Sequence, residues 1–521
     1  MDTCLFFNGS GRDAPGFDRP VFDSFVASGG LVSQTGFGLE THAAWKDLPR
    51  IDLQGQIVLP AFADAHVHFL QTGLTLLGGR LDEAASLDEV FERLREAAAR
   101  SPGEWVLGWN LDETMLREKR LPTVTEIDHA VPGRKVWVSR VDLHSAIPST
   151  PAVAWAKTVR PGATLHHDYF YRDDYTILCS RLMGGLPREM KERALDLARR
   201  HCLERGVTTV HALEGGWAAG PDDVQMVADF LVREGFHGLV FHQSEDPGLA
   251  RRNGWPRLGG CLMVDGSFGS RTAALSSPYA DDPSTTGTVY RDAANLDRLV
   301  GLCAEQGLQL AMHAIGDVAV EQLAEAYRAG RRRYGPQPLP NRLEHAELPT
   351  PAAIDHAVEA GALVSVQPAF EVLWGGPSAM YARRLGPERA SRTNPFRTLR
   401  QRGLALAGGS DSPVTPVDPF LGIHGFVNHP TPSQRIDLAA ALDAFIGAPH
   451  RFAGEDRHRG RLQPGYVADF VCLPTDPFRH PPERLRDLRV SRVFAGGRQV
   501  FPDPIPEPTG TTPATPLCRH G

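Results

Sequence analysis

The strongest constraint on how this chain folds is an alternation that runs through its middle. Short runs rich in aliphatic and β-branched residues, "GVTTVHAL", "HGLVFHQ", "CLMVDGS", "LQLAMHA", "NRLEHAE", "ALVSVQP" and "LALAGGSD", are separated by stretches such as "PREMKERALDLARRHCLER" and "LDRLVGLCAEQG". In these spacers the apolar residues recur at helical spacing. Strands that read as continuous apolar runs and alternate with helices belong in a parallel sheet covered on both faces. A region of this length suits an α/β fold of the (β/α)8 type, a TIM-like barrel. Adding "FADAHVHF", "EWVLGWN" and "KVWVSRVD" gives ten candidate strands for eight places, so at least two lie outside the barrel. An insertion is expected at about 77–185, where Asp, Tyr and Pro interrupt the rhythm.

Both ends of the chain read differently. "SFVASGGLVSQTGFG" and "IDLQGQIVLPAF" suggest a small antiparallel unit before residue 60, and "GRLQPGYVADFVCLP" and "RVSRVFAGGRQVF" return to the same alternating style. The expected organisation is a β-sandwich assembled from both termini, 1–58 and 456–502, around a barrel at 59–455. Residues 503–521, rich in Pro and Thr and poor in core-forming side chains, are expected to be disordered.

Bulk properties exclude several classes of function. A net charge of −7 and no concentrated basic stripe argue against nucleic acid as a partner. No apolar run reaches the roughly 18 residues of a bilayer span, so no membrane partner is expected. Seven cysteines without CxxC spacing read as reduced thiols in a cytoplasmic protein. No phosphate-binding Gly-rich loop stands out. The partner left is a small molecule, and homo-oligomerisation is left open.

The chemistry concentrates at strand ends. In a strand, side chains at i and i+2 share a face, so His66 and His68 of "FADAHVHF" project together. His313 in "LAMHAIGD", His345 in "RLEHAE" and Asp411 in "LAGGSDSPV" each follow an apolar run directly. That places them at the C-terminal mouth of barrel strands, the face where barrel enzymes do chemistry. Taken alone, a His after a strand is more often a hydrogen-bonded structural residue and a strand-end Asp more often a helix cap. Their recurrence on successive βα units is what points to a shared metal.

These stretches, with "LMVDGSFGSRTAALSSPYADDPSTTG", "VSVQP" and "GRLQPGYVADFVCL", resemble the amidohydrolase superfamily of metal-dependent hydrolases, in particular the branch that includes N-substituted formamide deformylases. The resemblance implies a (β/α)8 barrel with a two-ended sandwich. It implies that His66 and His68 hold a first divalent metal, that His313 and His345 hold a second or complete the set, and that Asp411 is both ligand and catalytic proton shuttle. Relatives often carry a lysine four residues before the Asp of "DGS"; Cys261 stands there in this chain. A thiolate at that place is a good zinc ligand, whereas a buried packing cysteine would leave one ion instead of two. The resemblance further implies cleavage of an amide, N-formyl or N-acyl, of a small molecule. A cyclic amide, a carbamate or an ester, or a metal-free scaffold, are the alternatives. Deamination is disfavoured by Gly316, which stands where deaminases of the superfamily commonly have Glu. Trp109, Asp142, His144, Arg271 and Gln367 resemble segments near the substrate pocket, and of these His144 is the preferred substrate contact; Trp109 reads equally as a core residue, and Arg271 as the partner of a structural carboxylate.

Overall fold

A computed structural model describes residues 3–502 except 15, 102, 114, 141–144, 217, 218 and 221; the expected tail at 503–521 and His144 therefore lie outside the described residues. Eight strands form one parallel sheet: β1 (Phe62–Val67), β2 (Val207–Gly215), β3 (His237–Gln243), β4 (Arg257–Met263), β5 (Gln309–Ala314), β6 (Arg342–His345), β7 (Leu363–Val366) and β8 (Leu406–Gly408). Their order in the sheet is their order in the chain. Beyond β8 the sheet curls back onto β1 through a parallel bridge, Val67 to Ser412, and through the Asp411 amide donating to the His66 carbonyl at 2.7 Å. The fold is a nearly closed α/β barrel. Helices such as Arg188–Glu204 and Asp317–Tyr334 cover it, each burying one apolar face against the strands.

The two surplus strands have a definite place. Trp105–Leu111 and Lys135–Arg140 pair in parallel within a separate five-stranded sheet, with Gly79–Arg80, Ser145–Pro148 and Phe170–Tyr171. This sheet has its own apolar core around Leu94, Val106, Val136 and Ile147.

The chain ends meet in one further sheet, and a second is built from N-terminal residues alone. Ile57–Pro60 pairs antiparallel with Phe470–Leu473, which continues to Arg492–Ala495 and Arg498–Phe501. The second sheet is mixed rather than antiparallel: Cys4–Phe7 takes Ser24–Ser28 on one side antiparallel and Arg50–Asp52 on the other in parallel. The long excursion between residues 7 and 50 is what permits that parallel return. Phe6, Phe25, Phe470 and Phe494 interlock in this core, with ring centroids 4.3–5.5 Å apart. Burying each ring contributes on the order of 2 kcal/mol. Among the described residues no helix is long and apolar enough to cross a membrane.

Candidate metal centre

All the side chains singled out at strand ends, other than those of the pocket wall, come to one place. On β1 the period of two turns Asp64, His66 and, just past the strand, His68 toward the barrel axis. Asp64 accepts from the backbone N–H of Ser410 and of His66, both at 3.0 Å, and so pins β8 to β1 at the site. Glu214, at the end of β2, accepts from the N–H groups of Phe69 and Leu70 at 2.6 and 3.2 Å. It caps the helix Phe69–Leu77 from outside and so fixes the chain just after His68.

Cys261 arrives by a local irregularity. Between Gly259, opposite Ala311, and Met263, opposite His313, β4 uses two more residues than β5. The excess is a bulge with Gly259 at φ 86° and Gly260 at φ 94°. A Cβ on Gly259 would stand 2.0 Å from the Ala311 carbonyl oxygen, and one on Gly260 would stand 2.6 Å from Leu213. Only glycine fits there, and the bulge re-aims the next side chain, as bulges near active sites do. The Cys261 Sγ consequently lies 3.7 Å from His66 Nε2, 3.9 Å from His313 Nδ1 and 3.9 Å from His345 Nε2.

His345 and Asp411 carry strained backbone, at φ 72° and 55°. In β6 the strand period would put Glu344 and His345 on opposite faces. The positive φ at His345 turns both inward. Asp411 Oδ1 lies 3.2 Å from both His66 Nε2 and His68 Nε2.

Two donor groups result, His66–His68–Cys261–Asp411 and Cys261–His313–His345, each with its donor atoms within 4.8 Å of one another and with Cys261 common to both. The spacing fits a metal: two donors on one tetrahedral zinc stand about 3.6 Å apart for sulfur and nitrogen and about 3.4 Å for nitrogen and oxygen. The supporting bonds fit as well. His66 Nδ1 meets Glu344 Oε2 at 2.7 Å, His68 Nδ1 donates to the Leu213 carbonyl at 2.9 Å, His313 Nε2 to the Gly266 carbonyl at 3.1 Å and His345 Nδ1 to Gln367 Oε1 at 2.7 Å. Each imidazole spends its N–H on the protein and turns its other nitrogen to the cluster, as metal-bound histidines do.

Electrostatics point the same way. Burial would raise the Cys261 thiol, yet His313, His345 and His66 around it hold it well below its usual range. Burial would likewise raise the Asp411 carboxyl, and His66 and His68 hold it well below. In turn His68 is raised to about 10 and His313 to about 9 against the effect of burial, by Asp411 with Cys261 and by Cys261 respectively. Two anions thus share a buried space that demands positive charge, which protons on the imidazoles or a bound cation can supply.

Of the pocket-wall residues, Asp142 and His144 lie outside the described residues, and the other three do not line the cluster directly. Trp109 is a core residue whose Nε1 donates to the Leu74 carbonyl, so its ring offers no stacking surface to a ligand. Arg271 is held by Asp281 through two bonds of 3.0–3.1 Å, which spends its guanidinium on a structural carboxylate. Gln367 acts one step back, as the acceptor for His345. Sequence reasoning missed Glu214, Glu344 and Asp265; the last accepts the N–H groups of Ala274, Ile315 and Gly316 at 2.8–2.9 Å and locks the "DGS" loop to the end of β5. The available signal for Glu344 was a charged residue inside an otherwise buried strand.

A wall over the site is built by Phe370, whose ring stacks on His345 at 6.2 Å, and by the helix that carries it, Ala369–Trp374. Glu371 on that helix accepts from Thr393 Oγ1 at 2.6 Å and Asn394 Nδ2 at 2.9 Å. Burial pushes its carboxyl up to about 7, with those bonds offsetting only part of the effect. Between its ordinary 4.5 and about 7 the folded chain holds a proton that the unfolded chain has released, so stability falls as pH rises through that window. Glu371→Gln is expected to flatten this slope and to be more stable than wild type above pH 7 by up to about 3 kcal/mol. Urea unfolding at pH 5 and pH 8 reads the difference, and equal slopes in the two proteins would rule out this assignment.

Comparison with known proteins agrees with this geometry. A family model described as an amidohydrolase family matches residues 50–501. YtcJ of Bacillus subtilis (strain 168), which carries an amidohydrolase name, is 28% identical over 483 residues, 87% of this chain and 90% of that protein. The N-substituted formamide deformylase of Arthrobacter pascens is 22% identical over 517 residues, 91% of this chain and 93% of that protein. An uncharacterized metal-dependent hydrolase from Pyrococcus horikoshii OT3 superimposes with a TM-score of 0.77 at 25% identity, over 92% of this chain and 99% of that one.

Proposed function

This chain belongs to the amidohydrolase family, whose model spans residues 50–501, and on that premise we propose that it is a metal-dependent hydrolase cleaving an N-formyl or N-acyl amide bond of a small molecule. The observation that carries the reading is the pair of donor groups meeting at Cys261. His66, His68, Cys261 and Asp411 would hold one divalent ion and His313 and His345, with Cys261, a second. A thiolate among imidazoles suits zinc. Such an ion, when bound, supplies Lewis acidity toward a carbonyl oxygen and acidifies water.

The chain's own groups do the rest. Asp411, an ionised carboxylate at the mouth, accepts a proton from the attacking water and returns it to the departing nitrogen. One C–O bond forms, one C–N bond breaks, and the products are a carboxylic acid and an amine. Phe370 covers His345 and keeps bulk water from that side of the cluster. Met263 at the end of β4, and Leu373 and Val414 on the segments that follow β7 and β8, leave apolar surface open, which suits a neutral organic amide.

The test is metal content by plasma mass spectrometry, followed by amine release from a panel of N-formyl and N-acyl amines before and after removal of metal with dipicolinate. One or two ions per chain, and activity that disappears on chelation and returns with zinc, are expected. Protein purified without divalent metal that gains no hydrolysis on zinc addition would favour the scaffold reading instead.

A further inference from the structure

Of the four histidines at the cluster, three give their outer N–H to neutral acceptors: the Leu213 carbonyl, the Gly266 carbonyl and the Gln367 amide. Among the described residues only His66 hydrogen-bonds a carboxylate there, Glu344 Oε2 at 2.7 Å; Asp265 Oδ1 stands off at 3.8 Å from His313 Nε2, whose bond goes to the Gly266 carbonyl. Both side chains are fully buried. A buried carboxylate needs compensation, and Arg342, two residues earlier on the same inward face of β6, supplies it. Its Nε lies 2.8 Å from Glu344 Oε1 and its Nη2 donates to Glu344 Oε2 at 3.1 Å. Arg342 is itself fixed on three further sides: Nη2 donates to the Ala65 carbonyl at 2.7 Å, Nη1 to His211 Nδ1 at 2.9 Å, and the guanidinium lies 4.5 Å over the Phe241 ring.

We propose that Glu344 is the positioning residue for His66, held in place by Arg342, and that this buried pair on β6 is what makes His66 a metal donor. The inference rests on the metal reading above. A neutral imidazole has one proton for two nitrogens. An acceptor-only carboxylate at Nδ1 holds the proton there and leaves the Nε2 lone pair facing Asp411 and Cys261. Its charge also makes the ring a more basic ligand than a carbonyl partner would. The link ties the donor on the first strand to the sixth strand, so the two sides of the site are set by one ion pair.

The experiment replaces the pair together, because removing Glu344 alone would strand a buried arginine. Arg342→Met with Glu344→Leu substitutes apolar side chains of similar volume, a change that buried ion pairs often tolerate. Unfolding in EDTA should stay within about 4 °C of wild type, while zinc affinity, read by competition with a chromogenic chelator, falls by roughly 10–100-fold. Arg342→Met with Glu344→Gln restores an uncharged acceptor and should recover part of that loss. A folded Leu variant that binds zinc within about twofold of wild type would overturn the proposal, since a purely structural pair moves stability and not affinity. Should the Leu variant not fold, the Gln variant decides: weaker binding than wild type supports the role of the carboxylate, equal binding overturns it. Wild-type protein that takes up no zinc would instead overturn the metal reading and this inference with it.

Discussion

Asp411→Asn is expected to lower kcat for amide hydrolysis by about 100-fold to 10,000-fold, the span that a positioned acid–base group supplies. The reason is specific to the atom. Oδ1 of Asp411 stands 3.2 Å from the Nε2 atoms of both His66 and His68, so the carboxylate is ionised and faces the centre of the cluster. An amide of the same shape cannot take up a proton or hand one to the leaving nitrogen. The backbone position should survive the change, because its φ of 55° is one that Asn adopts readily. Asp411 is also a candidate ligand, so kcat must be measured at saturating zinc, with metal per chain determined on the same sample. A variant that retains more than about a tenth of wild-type kcat with metal bound would remove Asp411 from the proton path.

The barrel was legible because parallel strands covered on both sides leave continuous apolar runs, and the ligand candidates because each sits directly after such a run. What the pattern could not do was assign a strand to a sheet. Trp105–Leu111 and Lys135–Arg140 are as apolar as any barrel strand and lie in a different sheet. Trp109 stays open between pocket and core for a related reason: nothing in "LGWN" says whether the indole faces a pocket or the helix Phe69–Leu77, and it faces the helix, with its N–H spent on Leu74.

The remaining failures share one physical cause, departure from regular backbone. The two glycines of "LGGC" form a bulge inside a strand, which swings Cys261 onto the axis and which no regular period reveals. Strict alternation separates Glu344 from His345, and only the left-handed backbone at His345 lets neighbours in sequence serve the same centre. Such strain persists only where surrounding contacts hold it. Here Gln367 on His345 and Arg342 on Glu344 do so. Local rules therefore break at the residues that gather around the cluster, which is where a functional site is expected to break them.

Cys261→Ala should lower zinc affinity by more than the roughly 100-fold that loss of a supporting partner costs, because it removes a donor from both groups at once. The Sγ lies 3.7–3.9 Å from three imidazole nitrogens that belong to the two groups. Without it, His66, His68 and Asp411 still provide three donors, the number that catalytic zinc sites use, while His313 and His345 provide two. The expected result is therefore unequal: the ion beside His313 and His345 is lost first, and metal per chain falls from about two to about one. Cys261→Ser separates volume from chemistry, since it fills nearly the same space without a thiolate, and it should resemble the Ala variant in metal content. Unchanged metal content and affinity in both variants would mean that Cys261 only packs the cluster. The Gly259–Gly260 bulge would then need another explanation, for its effect in this fold is to bring that one sulfur to the centre of four histidines.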